Sequence, residues 1–295
     1  MPPTTASATS PATSSVKGDS MRATALFFSS LLIAVLALSP QTSARRAYLG
    51  FDRNDYPGDA ALPILRKSFS FTGYWLSPPP GEKSNSWSGK RELLRSRGFG
   101  FALLFAGPSS GELRDTPYTL KRVAEDTQAA AAAAHREGFP PGSIIFLDVE
   151  EGGRLPSTYF AYLKLWASEL SRLGFRAGIY CSAIPIDEGE GLTLITSDFI
   201  REQVRPTELV YWVYDDACAP SPGCVAPQNP PHPSRSGIPY AQIWQFVRSP
   251  RDKEAAVHCT GYSKNGHCYA PGGTAHSWFL DVNTATSPGP SGGAK

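Results

Sequence analysis

Eight short β-like runs recur along the chain at wide, fairly even intervals. They are AYLGFD (47–52), FTGYWL (71–76), FGFALLFAG (99–107), SIIFLDVE (143–150), FRAGIYCS (175–182), ELVYWVYD (208–215), YAQIWQFV (240–247) and HSWFLDVN (276–283). Most are nearly continuous apolar runs rather than alternating ones. A strand that reads this way is buried on both faces, as in a parallel sheet covered by helices. Helix-like segments separate the early runs. Residues 118–137 hold an alanine run of high helix propensity, closed by Gly138 and Pro140. Residues 157–173 show apolar residues at helical spacing, with Ser157 or Thr158 as the expected cap and Gly174 as the stop. Shorter helices are expected around 60–68, 89–97 and 197–204. Strand–helix alternation implies right-handed crossovers. After residue 205 the helical pattern fades. The expected fold class is α/β, a modified TIM-type (β/α)8 barrel with few helices in the last third. A doubly wound open sheet is the rival, but it usually brings a glycine-rich phosphate turn after the first strand. Here that turn, GFDRNDYPG, carries an aspartate.

The 295 residues, 41% of them hydrophobic, supply one sizeable domain, expected at 45–284 with a flexible tail at 285–295. Residues 1–20 are rich in Ser, Thr, Pro and Ala and are expected to be disordered. Arg22 then precedes an apolar run from Ala25 to Leu38, and small residues follow at Thr42 and Ala44. That is the pattern of a cleavable signal peptide over 21–44. The run is shorter than the ~20 residues needed to span a bilayer, although an uncleaved anchor is the alternative. A secreted, periplasmic or cell-wall location is expected, with no stable membrane span after cleavage. A net charge of +2 gives no reason to expect nucleic acid as a partner, and a monomer is expected.

Five cysteines fit an oxidising destination. Cys218 and Cys224 bracket one short loop, Cys259 and Cys268 another. Both are read as local disulfides, leaving Cys181 as a buried thiol. His258-Cys259 and His267-Cys268 suggest a metal site instead, but no second ligand cluster of zinc spacing accompanies them. No metal-binding, nucleophile-elbow or phosphate-loop motif occurs either, so neither metal nor cofactor is expected.

In a barrel of this kind catalytic groups sit at the C-terminal ends of strands. Asp52 closes the first run, Asp148 and Glu150 the fourth, Asp215 the sixth and Asp281 the eighth. Asp148 and Glu150 are two apart on a strand, so they share a face with Cα atoms roughly 6.5–7 Å apart. Glu151 should face away from them. Paired carboxylates in a partly dry mouth repel, so one keeps its proton to higher pH while the other stays ionised. Glycoside hydrolysis needs that acid–anion combination. The bland reading is that Asp148 and Glu150 cap amides or pair with Arg53 or Arg154. Asp215 reads as a loop-starting turn residue. Tyr74, Tyr180 and Trp212 are candidate sugar contacts, since aromatic faces stack on sugar C–H faces, though most aromatics in strands are core. Gln245 is a candidate hydrogen-bond partner for substrate or carboxylate.

In their order and spacing, GFDRNDYPG, FLDVEEGG, AGIYCS, QIWQF and FLDVN resemble the glycoside-hydrolase-like domain once catalogued as a domain of unknown function. That domain is similar to the family 25 glycoside hydrolases, the lysozyme-type muramidases. The resemblance covers roughly residues 47–284. It implies five βα units followed by strands with few helices, and an acid set of Asp52, Asp148, Glu150 and Asp281. By the same resemblance Glu150 is the general acid, and Asp148 orients an N-acetyl group or a water. Muramidases usually continue the first-strand aspartate into a Ser and a Gln-Gly, where this chain has Arg53-Asn54-Asp55. Their sixth strand also differs from Tyr211-Trp212-Val213-Tyr214. The expected activity is a glycosidase acting on an N-acetylhexosamine-containing wall polymer such as peptidoglycan. The alternative is a non-catalytic glycan-binding barrel.

Overall fold

The computed structural model describes residues 46–204, 209–218, 229–248 and 280–292. Its barrel strands are β1 (Tyr48–Asp52), β2 (Phe71–Trp75), β3 (Gly100–Ala106), β4 (Ile144–Asp148) and β5 (Arg176–Ser182), followed by β8 (Val210–Cys218), β9 (Ala241–Val247) and β10 (Asp281–Ala285). They close in the order β1-β10-β9-β8-β5-β4-β3-β2. A small antiparallel hairpin of β6 (Pro185–Asp187) and β7 (Thr193–Ile195) lies outside the barrel. The helices are α1 (Leu62–Leu65), α2 (Arg91–Ser96), α3 (Thr116–Arg136), α4 (Ser157–Arg172) and α5 (Thr196–Gln203). This is the predicted α/β barrel with few helices after α5.

Seven strands run parallel, and β10 runs antiparallel to both of its neighbours, β1 and β9. Asp281 therefore opens the last strand rather than closing it. Because that strand is reversed, its first residue still lies at the C-terminal rim, in register with Asp52. Alternation sets which residues fill the lumen. Phe146 and Trp212 meet edge to face with centroids 5.6 Å apart, and Gly50 leaves the room that the Phe71 ring occupies. Opposite residues face the helices: Phe105 packs on Trp166 of α4, and Tyr74 packs on Phe139 beyond α3.

Asp115 caps α3, its carboxylate accepting from the Tyr118 amide at 2.8 Å. The start of α4 differs from expectation. Ser157 is already helical, Pro156 occupies the cap position, and no side chain bonds the free amides there. Proline has the extended φ a cap needs, so the turn needs no hydroxyl.

Residues 285–292 belong to the packed domain rather than to a flexible tail. Ala285 ends β10, and Ser291 is buried under the barrel floor. The Ser291 hydroxyl oxygen accepts from the Leu103 amide at 2.8 Å. Its amide donates to the Phe101 carbonyl, and its carbonyl accepts from the Ile144 amide, both at 2.8 Å. The expected signal segment at 21–44, the preceding extension, and Cys224, Cys259 and Cys268 lie outside the described residues, as does the Cys218 side chain. Cys181 is a buried free thiol. Among the described residues no helix is long and apolar enough to cross a membrane.

Candidate active site

Asp52, Asp148 and Asp281 are brought together at the C-terminal rim, each less than a tenth exposed. Asp52 ends β1 beside Asp281, and Asp148 ends β4 in register with Tyr180 on β5. Tyr180 lies within electrostatic reach of all three. Burial pushes its phenol well above the usual range, and the negative charges of Asp52, Asp148 and Asp281 push it further.

A chain of hydrogen bonds fixes this cluster. The Tyr180 hydroxyl donates to Gln245 Oε1 at 2.8 Å, and Gln245 Nε2 donates to Asp52 Oδ1 at 3.1 Å. Asn283 Nδ2 donates to the same Asp52 oxygen at 2.6 Å and to the Asp281 carbonyl at 3.2 Å. The indole of Trp212 donates to Asn283 Oδ1 at 2.9 Å. An indole N–H can only donate, so it fixes which end of the Asn283 amide faces Asp52. Two amide donors on one oxygen fix the orientation of the carboxylate. Room for Asp52 comes from Gly73 on the next strand: a Cβ there would stand 2.6 Å from the Asp52 Cβ.

Glu150 lies beyond the end of β4 and is exposed, unlike the three aspartates. Its backbone is fixed, because the Tyr214 hydroxyl donates to its carbonyl at 3.0 Å. Glu151 turns elsewhere, accepting from the Ser110 amide at 2.6 Å in the loop between β3 and α3. The glycines after it have a packing reason. A Cβ on Gly152 would stand 2.7 Å from Ile186 of the hairpin, and Gly153 takes a φ of 84° that favours glycine.

Two predicted sugar contacts are placed otherwise. Tyr74 is fully buried on the helix side of β2, its hydroxyl bonded to Glu137 at 2.5 Å. Trp212 is sealed in the lumen and acts on Asn283. Tyr180 stays half-buried at the rim, packed against Trp212 and Tyr214. Gln245 bonds a carboxylate, one of the two roles open to it. Asn283 was not among the predicted site residues, though it follows Asp281 at the same-face spacing that links Asp148 to Glu150. Asp215 lies within β8, its carbonyl accepting from Trp244 Nε1 at 2.8 Å.

The segment after Asp52 is clamped by two indoles. Trp75 Nε1 donates to the Arg53 carbonyl at 3.1 Å, and Trp87 Nε1 to the Asn54 carbonyl at 2.8 Å. Arg154 pairs with Glu188 at 3.1 Å rather than with the acids of β4. Among the described residues no group of three His, Cys, Asp or Glu side chains is arranged to hold a metal ion.

The family model described as the Rv2525c-like, glycoside hydrolase-like domain matches residues 73–267, well over half of the chain. The matched span includes Asp148, Glu150, Tyr180 and Gln245, while Asp52 and Asp281 lie outside it. No curated protein matches the chain. Among solved structures, an uncharacterized B. stearothermophilus protein is 16% identical with a TM-score of 0.50, covering 81% of this chain and 95% of that one. The Mycobacterium tuberculosis Tat-secreted protein Rv2525c is 12% identical with a TM-score of 0.49, covering 83% and 97%. GHIP, a glycosyl hydrolase 25 of Streptococcus pneumoniae, is 13% identical with a TM-score of 0.48, covering 80% and 86%. At such identities a likeness concerns the fold alone.

Proposed function

The chain belongs to the Rv2525c-like, glycoside hydrolase-like domain family, and on that footing we propose that it is an exported glycosidase cutting an N-acetylhexosamine-containing glycan. The observation that carries the reading is the placement of Asp52, Asp148 and Asp281, all buried, at one rim of the barrel, with Glu150 exposed just past the end of β4.

Glycosidic cleavage passes through an oxocarbenium-like transition state with a proton delivered to the leaving oxygen. In this reading Glu150 delivers the proton. A sugar settling over the rim brings its leaving oxygen to that carboxyl group and excludes water from the pair. Asp148, one strand layer deeper, orients the N-acetyl group or a water. Asp52, oriented by the Gln245 and Asn283 amides, and Asp281 beside it stabilise the developing positive charge. The half-buried ring of Tyr180 offers the sugar an apolar face. Export rests on the apolar run Ala25–Leu38 and the small residues after it.

The test is incubation of the mature protein with purified peptidoglycan, chitin and other wall glycans. New reducing ends on at least one of them are expected, and none on any would overturn the reading. The exposure of Glu150 favours a second reading, a barrel that binds glycan without turnover. Undiminished glycan affinity in Glu150→Gln, with no cleavage by the unaltered chain, would select it.

A further inference from the structure

Arg53 follows Asp52 directly, and its position is fixed by the Trp75 indole on its carbonyl. The residue is half-buried, yet its Nε is sealed from solvent with no hydrogen-bond partner. None of the ion pairs among the described residues includes it. Asp55 and Asp281 act on it electrostatically. Burial opposes its charge more than those two acids support it. A guanidinium stays charged in any protein, and taking that charge out of water is costly unless a close partner offsets it. Its planar donor fork matches a carboxylate bidentately, which an ammonium does not.

We propose that Arg53 is a specificity residue which takes a free carboxylate on the glycan, so that the polymer recognised carries an acidic sugar next to the N-acetylhexosamine. The inference rests on the glycan reading and sharpens it. Position 53 is also where the chain departs from the muramidase pattern, with Arg53 after the first-strand aspartate. The three buried aspartates would repel an acidic sugar at this mouth, so an arginine beside them decides whether such a sugar is admitted.

The test is calorimetric titration of the mature chain carrying Glu150→Gln, so that the ligand survives. One ligand is an oligosaccharide of alternating N-acetylhexosamine and uronate, the other the same compound with its carboxyls reduced to alcohols. The carboxylate form should bind at least about tenfold tighter, as one charge-assisted hydrogen bond allows. Adding Arg53→Gln should bring the ratio to one or below, with Arg53→Lys between the two and the melting temperature little changed. Equal binding of both forms with Arg53 present, or an unchanged ratio in Arg53→Gln, would overturn the proposal. If a neutral N-acetylhexosamine oligomer binds and the acidic one does not, the acidic-sugar inference falls and the glycan reading stands. If no glycan binds, both fall.

Discussion

Glu150 and Glu151 are adjacent and chemically alike, yet the fold sends them to different work. Glu150 stands on the rim above three buried aspartates, and Glu151 holds the Ser110 amide. Glu150→Gln should abolish turnover with the fold intact, because the amide fills the same space but cannot supply a proton. General acid catalysis is worth ~10²–10⁴-fold, so reducing-end release should fall by about that factor. Glu151→Gln keeps an acceptor oxygen for Ser110 and should leave the rate nearly unchanged. Equal losses at the two positions would show that the acid is elsewhere. Gly73 offers a second test, since Gly73→Ala puts a methyl group against the Asp52 Cβ. Overpacking of this kind costs ~1–3 kcal/mol; turnover should also drop, because Asp52 must move off its amide donors. Unaltered kinetics in Gly73→Ala would remove Asp52 from the mechanism. Asp148 was legible because the apolar run before it marks a strand whose end it occupies, whereas Glu150 lies past that end, where strand spacing no longer fixes a shared face. Tyr74 and Trp212 were not legible as structural residues. In a strand apolar on both faces, nothing in the sequence says which parity fills the lumen and which meets the helices.

At the level of elements, the acids at strand ends depended on strand direction in a way their pattern concealed. Strand periodicity is the same read forwards or backwards, so the reversal of β10 left no trace in HSWFLDVN. Asp281 reaches the rim because it begins an antiparallel strand, and the same reversal carries the chain to the barrel floor afterwards. The segment after β10 then becomes a latch, with Ser291 bonded to Phe101 and Leu103 of β3 and to Ile144 of β4. Glycine, serine and proline in SPGPSGGAK read as a tail because composition reports solubility, not which amides a serine can satisfy. Ser291→Ala keeps both backbone bonds and strands the Leu103 amide in a buried place, which costs ~1–3 kcal/mol. Urea unfolding should register that loss, while the glycan cleavage proposed for the opposite rim should be unaffected. A variant as stable as the parent would mean that water replaces the hydroxyl and that the latch is held by backbone alone.

Over the whole molecule, closure leaves the eight-stranded sheet no free edge, so its strands should separate together rather than one at a time. Cys181 is placed to report on that. It lies on β5 with its neighbour Tyr180 facing the lumen, and its own thiol is fully buried on the helix side. The α5 region that could uncover it is itself tied down. Tyr240 donates to Asp198 at 2.6 Å, and Arg201 stacks 4.0 Å from the Tyr240 ring centroid. Burial pushes the Cys181 thiol well above its ordinary value, so at pH 8 it stays protonated, and the thiolate is the form that alkylating reagents attack. In native protein the Cys181 peptide should therefore resist iodoacetamide. With added urea its labelling should rise along the same slope as global unfolding followed by circular dichroism, because both expose the same surface. Labelling that ignores urea would mean that α5 opens alone. The eight strands would then act as a closed unit only around the acid-bearing rim, and the helix layer would be a separate, weaker shell.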